Sequence, residues 1–359
     1  MIRHTLKWAR GARMAAMLLA AACGAATAFA ASEADVLLDA HTKAFVRVDQ
    51  DRAWFRENTS SEETNSSFWM EAEQIEMELD ACERTHSASQ RDLCEKLFNG
   101  FIAEHGADWR TNDFNDDLMW MVIASARGYL LTGKEQLRDV AKSNFDVCFA
   151  RSWSSDMGGG LWWKTDNRSK NACVNGPGAI AAALLSRACE EPAYLAKATN
   201  IFLWERANLF EPKSGHIFDN MRSNGRVSFK SFSYNQGTFI GAANLLGYTN
   251  EAMLAATYTM NHLCRDGLLP GYGETGDASG FNGICARWLA RFMYDNHEEP
   301  VFEAWLRKNA EAAWNVRRAS DNISWNLWSE PTPEGKRYSW GCSSSVVIQQ
   351  ALRPADTSR

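Results

Sequence analysis

Hydrophobic positions along the chain recur at helical spacing and seldom alternate, so the pattern predicts helix after helix with few strands. The predicted segments are 33–52, 66–82, 90–105, 116–131, 134–151, 177–190, 193–208, 237–247, 250–265, 281–295, 299–314 and 341–352, which make twelve helices or six hairpins. They are of two kinds. Residues 116–131, 177–190, 237–247 and 281–295 are small and apolar nearly all round, as in GPGAIAAALLSRA and TFIGAANLLG. Residues 134–151, 193–208, 250–265 and 299–314 mix charged and apolar positions. A helix apolar on every side belongs in an interior and an amphipathic one at a surface. Their alternation predicts an all-α fold, an (α/α)6 barrel: a toroid of six helical hairpins whose inner ring closes around an axial cavity. An irregular helical bundle is the rival architecture. The spacing of about fifty residues per hairpin is like that of helical repeats, although no sequence repeat is legible.

Short connections, TG at 132–133, GYTN at 247–250 and NHEEP at 296–300, alternate with long ones at 152–176, 209–236 and 267–280. The long ones carry GGGLWWKTDNRSKNACVNG, FSYNQG and GYGETGDASGFNG, and each leads into an inner helix. NDD stands before the helix at 116 and YSWGCSSS before the last one. Five polar segments thus reach the N-terminal ends of inner helices, and the barrel predicts that they converge on one rim.

With 359 residues and 45% hydrophobic content the chain can bury a large core, and no shift in composition marks a second domain. One domain over 31–352 is expected, with 353–359 as a disordered tail. Ahead of it, Arg3, Lys7, Arg10 and Arg13 precede the apolar run MAAMLLAAACGAATAFA, with Ala28 and Ala30 in the small-residue positions of a cleavable signal peptide. Cleavage after Ala30 is expected, giving a periplasmic or extracellular protein. The rival reading acylates Cys23 as a lipoprotein anchor. No later apolar run is long enough to span a membrane.

Removing 1–30 takes four positive charges and no negative ones from a net charge of −6 and leaves −10. That argues against nucleic acid or an anionic membrane as partner and fits a neutral ligand. Eight cysteines remain after Ala30, an even number that permits disulfides in an exported protein, and Cys82 and Cys94 are the closest pair in sequence. Spacing does not fix their pairing. There is no CxxC, so zinc-ribbon chemistry has no support. A monomer is expected.

The candidate chemistry centres on FNDDLMW, Phe114 to Trp120. Asp116 and Asp117 have an ordinary explanation, since Asn115 is a plausible N-cap and first-turn carboxylates are favoured by the helix dipole. Against it, the following LMWMVIASARGYLL is apolar enough to be buried, so its start faces an interior where two carboxylates are costly without a purpose. Neighbouring first-turn residues, about 3.8 Å apart at Cα and diverging around the helix, can hold carboxyl groups roughly 5–6 Å apart. Retaining glycosidases use about 5–5.5 Å. Mutual repulsion and partial burial raise one acid while the other stays ionised, and Trp120, Trp162 and Trp163 can supply the apolar wall.

Fifteen tryptophans point to a sugar, because exposed indole faces stack on pyranose rings. Those in polar loops, Trp162, Trp163 and Trp340, are the candidates. Asn175, Tyr234, Asn235 and Gln236 bring donors and acceptors able to read hydroxyls, with Asp277 at the same rim. Helix capping and loop satisfaction are the competing account of Asn175 and Asn235. Other matches fail. GYGETG follows no strand, DFNDDL lacks the glycine and glutamate of a calcium loop, having Leu118 and Ala124 at those places, and GGG at 158–160 is not followed by Gly-Lys-Ser/Thr. The seven histidines lack metal-ligand spacing, and no Ser or Cys sits in a nucleophile elbow, so no cofactor is expected.

In order and spacing, NDDLMW, GGGLWWKT, KNACVNG and YNQGTFIGAA resemble glycoside hydrolase family 76, the α-1,6-mannanases, which include fungal cell-wall relatives proposed to be transglycosylases. The resemblance spans about 112–295 and implies an (α/α)6 barrel, Asp116 as nucleophile, Asp117 as general acid/base, and loops lining a glycan groove. The chain departs from the family at Phe232-Ser233, where Trp-Thr is common, and nothing before 110 or over 315–340 is matched. The expectation is an exported, endo-α-1,6-mannanase-like retaining hydrolase acting on α-mannan or a mannose-containing glycan. Action at chain ends and sugar transfer are left open. Two readings of other classes stand beside it: a non-catalytic glycan-binding toroid, and a uronic-acid lyase or epimerase using Lys164, Arg168 and Lys170.

Overall fold

The computed structural model describes residues 31–64 and 67–354. The expected signal peptide and residues 355–359 of the expected tail lie outside the described residues. In chain order the helices are α1 (Glu33–Phe45), α2 (Phe68–Thr85), α3 (Ala88–His105), α4 (Asn115–Thr132), α5 (Glu135–Ser152), α6 (Ala172–Ala188), α7 (Pro192–Asn208), α8 (Ser233–Leu245), α9 (Thr249–Tyr258), α10 (Phe281–Asp295), α11 (Glu299–Asn315) and α12 (Ser339–Ala351). Two small antiparallel sheets accompany them: β1 (Val46–Asp49) with β2 (Arg52–Phe55), and β3 (Ser169–Asn171), β4 (Asn220–Arg222) and β5 (Val227–Ser228) in the order 3-4-5.

The even-numbered helices form a closed ring. α2 packs on α4, α4 on α6, α6 on α8, α8 on α10, α10 on α12, and α12 back on α2, while each odd-numbered helix covers the outside. This is the (α/α)6 barrel. The ring holds the apolar core, since Leu118–Gly128 of α4 and Ser339–Gln350 of α12 are buried without a break. Small residues let the inner helices approach. A Cβ on Gly237 of α8 would lie 2.5 Å from the Cys285 Cα of α10, so no side chain fits there.

α2 is an inner helix that hydropathy does not reveal, with Glu73, Glu76 and Asp80 buried inside the ring. Arg127 of α4 reaches Glu76 at 2.6 Å and Asp80 at 2.7 Å, and Arg287 of α10 reaches Glu73 and Asp80, both at 2.6 Å. Charges this deep survive only when paired and hydrogen-bonded. Their partners come from distant helices.

Several predicted boundaries move. The segment 33–52 is helical only to Phe45, after which β-branched Val46 and Val48 enter a hairpin that turns at Gln50, with φ at 52°. α6 starts at Ala172, five residues ahead of the prediction, and Pro177 lies inside it. α8 likewise starts at Ser233, ahead of the predicted 237, and packing within the ring carries both helices past Pro177 and Gly237. α9 passes into a π-helical turn at Thr259–Leu263. The eight cysteines among the described residues are unbridged, and Cys82 and Cys94 are both buried.

Candidate active site

The start of α4 is stitched to the long loop that precedes α6. Asn115 N–H donates to the Trp163 carbonyl at 2.9 Å and Thr165 N–H to the Asp113 carbonyl at 3.1 Å, with a bridge between Phe114 and Lys164. Extended Phe114 precedes the helix and Asn115 is its first residue, so Asn115 does not cap it. Its side chain instead donates to the Trp162 carbonyl at 2.8 Å and accepts from Arg151 at 2.6 Å. This stitching brings Trp163 Nε1 within 3.0 Å of Asp116 Oδ2. Cys173, in the first turn of α6, donates its thiol to the same oxygen at 3.4 Å. Asp117 Oδ2 accepts from Asn112 Nδ2 at 2.9 Å.

Both carboxyls open on a cleft of about 410 Å³ at the N-terminal ends of inner helices. Its wall is aromatic: Trp69, Phe114, Trp120, Trp163, Tyr234 and Phe281. Tyr234 and Phe281 stack with centroids 3.7 Å apart, and Trp163 meets Phe114 edge-on at 5.5 Å. Asp219 and Asp277 add two further carboxyls, and no Lys or Arg is among the described lining residues. Asp219 immediately precedes β4 in the loop before α8, and its carbonyl accepts from Ala172 N–H at 2.9 Å.

Burial raises the proton affinity of both catalytic candidates. Asp116, the deeper, is pushed up by desolvation and then by the charge of Asp117, against the donation from Trp163 and Cys173. Asp117 is raised by desolvation and by Asp277, against its bond from Asn112. Two crowded, desolvated carboxyls hold one proton between them through a range where isolated aspartates are both ionised. The rise is larger on Asp116 than on Asp117. An attacking carboxylate needs the opposite order, and the forces favouring it are the two donors on Asp116 and the repulsion of Asp117 by Asp277.

Of the residues expected from sequence, Asp116, Asp117, Trp120, Trp163, Tyr234 and Asp277 line the cleft. Trp162, Asn175, Asn235 and Gln236 do not. Trp162 is buried with the Lys170 ammonium 4.7 Å from its ring centroid. Asn175 spends its amide on Leu161 N–H, at 2.8 Å, and on the Leu161 and Asn171 carbonyls. Gln236 accepts from Ile217 N–H at 2.6 Å and donates to the Gly215 and Ala255 carbonyls. Asn235 sits behind Asp219, donating to it at 3.5 Å. These amides pin long loops to inner helices because buried loop backbone needs partners. Trp340 is likewise buried, its indole donating to the Asp277 carbonyl at 2.9 Å.

Trp69, Asp219, Cys173 and Phe281 are among the cleft residues that the sequence reading missed. Trp69 carried a usable signal, an aromatic at the start of a helix, as at Trp120. Asp219 carried none. Lys164, Arg168 and Lys170 stay out of the cleft lining, and buried Lys170 donates to the Ser154 and Asp156 carbonyls. Among the described residues, Glu71, Glu104 and His105 bring ligand atoms within 4.8 Å of one another, as a metal would need, but none of the three lines the cleft.

Comparison with known proteins finds the same fold. The α-1,6-mannanase of a Salegentibacter species is 29% identical, with a TM-score of 0.81 over 89% of this chain and 97% of that one. A structure of an inactive variant of that enzyme, with two adjacent aspartates changed to asparagine and α-1,6-mannotriose bound, matches at 28% identity with the same TM-score and coverage. Dfg5 from Chaetomium thermophilum, in complex with glucosamine, shares the fold at 16% identity and a TM-score of 0.75, with 89% and 88% of the two chains covered. A search of curated proteins gave no match. The family model described as Glycosyl hydrolase family 76 matches residues 32–353, the whole of the helical barrel, and the chain belongs to that family.

Proposed function

We propose that this chain is an exported, retaining glycoside hydrolase that cleaves α-1,6-mannosidic linkages in mannan-like polysaccharides. One observation carries the reading: the adjacent Asp116 and Asp117 open on a cleft walled by aromatic rings and, among the described residues, lined by no basic side chain. Aromatic faces suit the C–H faces of pyranose rings, and the lack of cations suits an uncharged sugar better than a uronic acid. The inactive Salegentibacter variant, whose adjacent aspartates were changed, supports the same pair.

In this reading Asp116 attacks the anomeric carbon while Asp117 protonates the departing glycosidic oxygen. Asp117, now ionised, takes a proton from water, and the water displaces Asp116 from the glycosyl carbon. The test is product analysis of the purified protein on linear α-1,6-mannan, alongside Asp116→Asn and Asp117→Asn. Manno-oligosaccharides from the parent, with turnover reduced by about 10²-fold or more in each variant, are expected. Saturable binding by the parent without release of product would make this a glycan-binding toroid, and an unsaturated product would make it a lyase.

A further inference from the structure

We propose that Cys173 is a positioning residue: its thiol joins the start of α6 to Asp116 and, with the Trp163 indole, fixes the Asp116 carboxylate for attack. The inference rests on the function proposed above and names a residue that this function does not by itself require. Two observations carry it. The Cys173 Sγ lies 3.4 Å from Asp116 Oδ2, the oxygen that also accepts from Trp163 at 3.0 Å, so two donors from one loop and the helix it enters converge on one atom. Cys173 lines the cleft yet is only 5% exposed, so its thiol is committed to protein partners. Tyr234, from α8, lines the same cleft wall.

The direction of donation follows from the surroundings. Burial, and the charges of Asp116 and Asp219, hold the Cys173 thiol well above the ordinary thiol range, and burial does the same to Tyr234. A thiol that stays protonated donates S–H to the carboxylate. The titratable groups facing Asp116 are Asp117 on its own helix, Cys148 on α5, Cys173 on α6 and Tyr234 on α8, with Asp219 and Asp277 across the cleft. The carboxyls among these disfavour charge on Asp116. The S–H and indole N–H donors oppose them.

A thiol is a weak donor, so its replacements predict opposite shifts. Cys173→Ser keeps a donor and strengthens it, so kcat stays within a few-fold of the parent and the acidic limb of the kcat profile moves to lower pH. Cys173→Ala removes the donor, lowers kcat by about 5- to 20-fold with KM little changed, and moves that limb to higher pH. If both cysteine variants leave the limb where it was, or move it the same way, the thiol is only packing and the proposal is overturned. A second readout needs no turnover. The S–H infrared band assigned to Cys173, by difference from Cys173→Ser, is expected at a hydrogen-bonded frequency in the parent and at a free-thiol frequency in Asp116→Ala. A free-thiol band in the parent overturns the assignment. Failure on α-1,6-mannan with a bonded S–H band would instead reject the substrate while leaving the Cys173–Asp116 contact in place.

Discussion

Trp163 and Asp116 stand 47 residues apart in sequence, and the indole Nε1 of one donates to the Oδ2 of the other at 3.0 Å. The contact exists because the loop before α6 is hydrogen-bonded to the start of α4. An indole N–H has no use other than donation, so it holds the carboxylate in one orientation. Trp163→Phe keeps an aromatic surface toward Phe114 and removes the donor. A hydrogen bond to a charged group contributes about 1.5–3 kcal/mol, so kcat is expected to fall about 10- to 100-fold. Steady-state kinetics on α-1,6-mannan checks this; a change confined to KM would assign Trp163 to sugar stacking alone.

The raised proton affinity of the Asp pair sets a pH profile. At low pH both carboxyls are protonated and no nucleophile remains; at high pH both are ionised and no acid remains. Because desolvation, with the charge of Asp117 on Asp116 and of Asp277 on Asp117, moves both groups upward, the window of activity lies above the range in which ordinary aspartates titrate. Asp277→Asn removes a negative charge facing Asp117 and is expected to lower the alkaline limb. A profile that keeps falling from pH 4 upward would contradict the pair as catalytic acid and base.

Glu205, on α7, is fully buried and both carboxylate oxygens lack a hydrogen-bond partner among the described residues. Burial therefore raises its proton affinity well above that of an ordinary glutamate. A carboxyl raised in the folded state contributes no penalty below its unfolded value of 4.5 and destabilises increasingly as pH climbs from there toward the folded value. Glu205→Met removes the group. The variant should gain about 1–3 kcal/mol at pH 8 and much less at pH 4.5, read as a difference in thermal midpoint that widens with pH. An equal difference at both values would rule out ionisation as the cause.

Arg287 is 1% exposed and binds Glu73 and Asp80 at 2.6 Å each. Arg287→Leu leaves those carboxylates buried without their main cation, which costs about 3–5 kcal/mol. The urea midpoint should fall accordingly. A loss under about 1 kcal/mol would mean that Arg127 and Arg291 take up the charge.

His41 gives an acid limit to stability. Its ring is buried with Nε2 3.1 Å from the Ser339 carbonyl, and desolvation lowers its value from 6.5 to about 4. A histidine that folds neutral is protonated first in the unfolded chain, so its contribution is intact above pH 6.5 and is lost as pH falls toward about 4. His41→Gln should flatten that part of a stability curve; an unchanged slope would place the acid sensitivity elsewhere.

Periodicity alone revealed the six hairpins and the sorting of most inner from outer helices, because a helix buried on every side must be apolar on every side. The pair Asp116-Asp117 was legible for a related reason: two charges opening a helix that must be buried are conspicuous in sequence. Three features depended on tertiary structure. α2 joined the inner ring because Arg127 and Arg287, from remote helices, neutralise its acids. Asn175 and Gln236 looked like hydroxyl readers, but their amides serve loop backbone, a distinction made by burial and not by residue type. Trp69, Cys173 and Asp219 reached the cleft through the closing of the ring and the pairing of β3 with β4, contacts between segments far apart in the chain that no local pattern encodes.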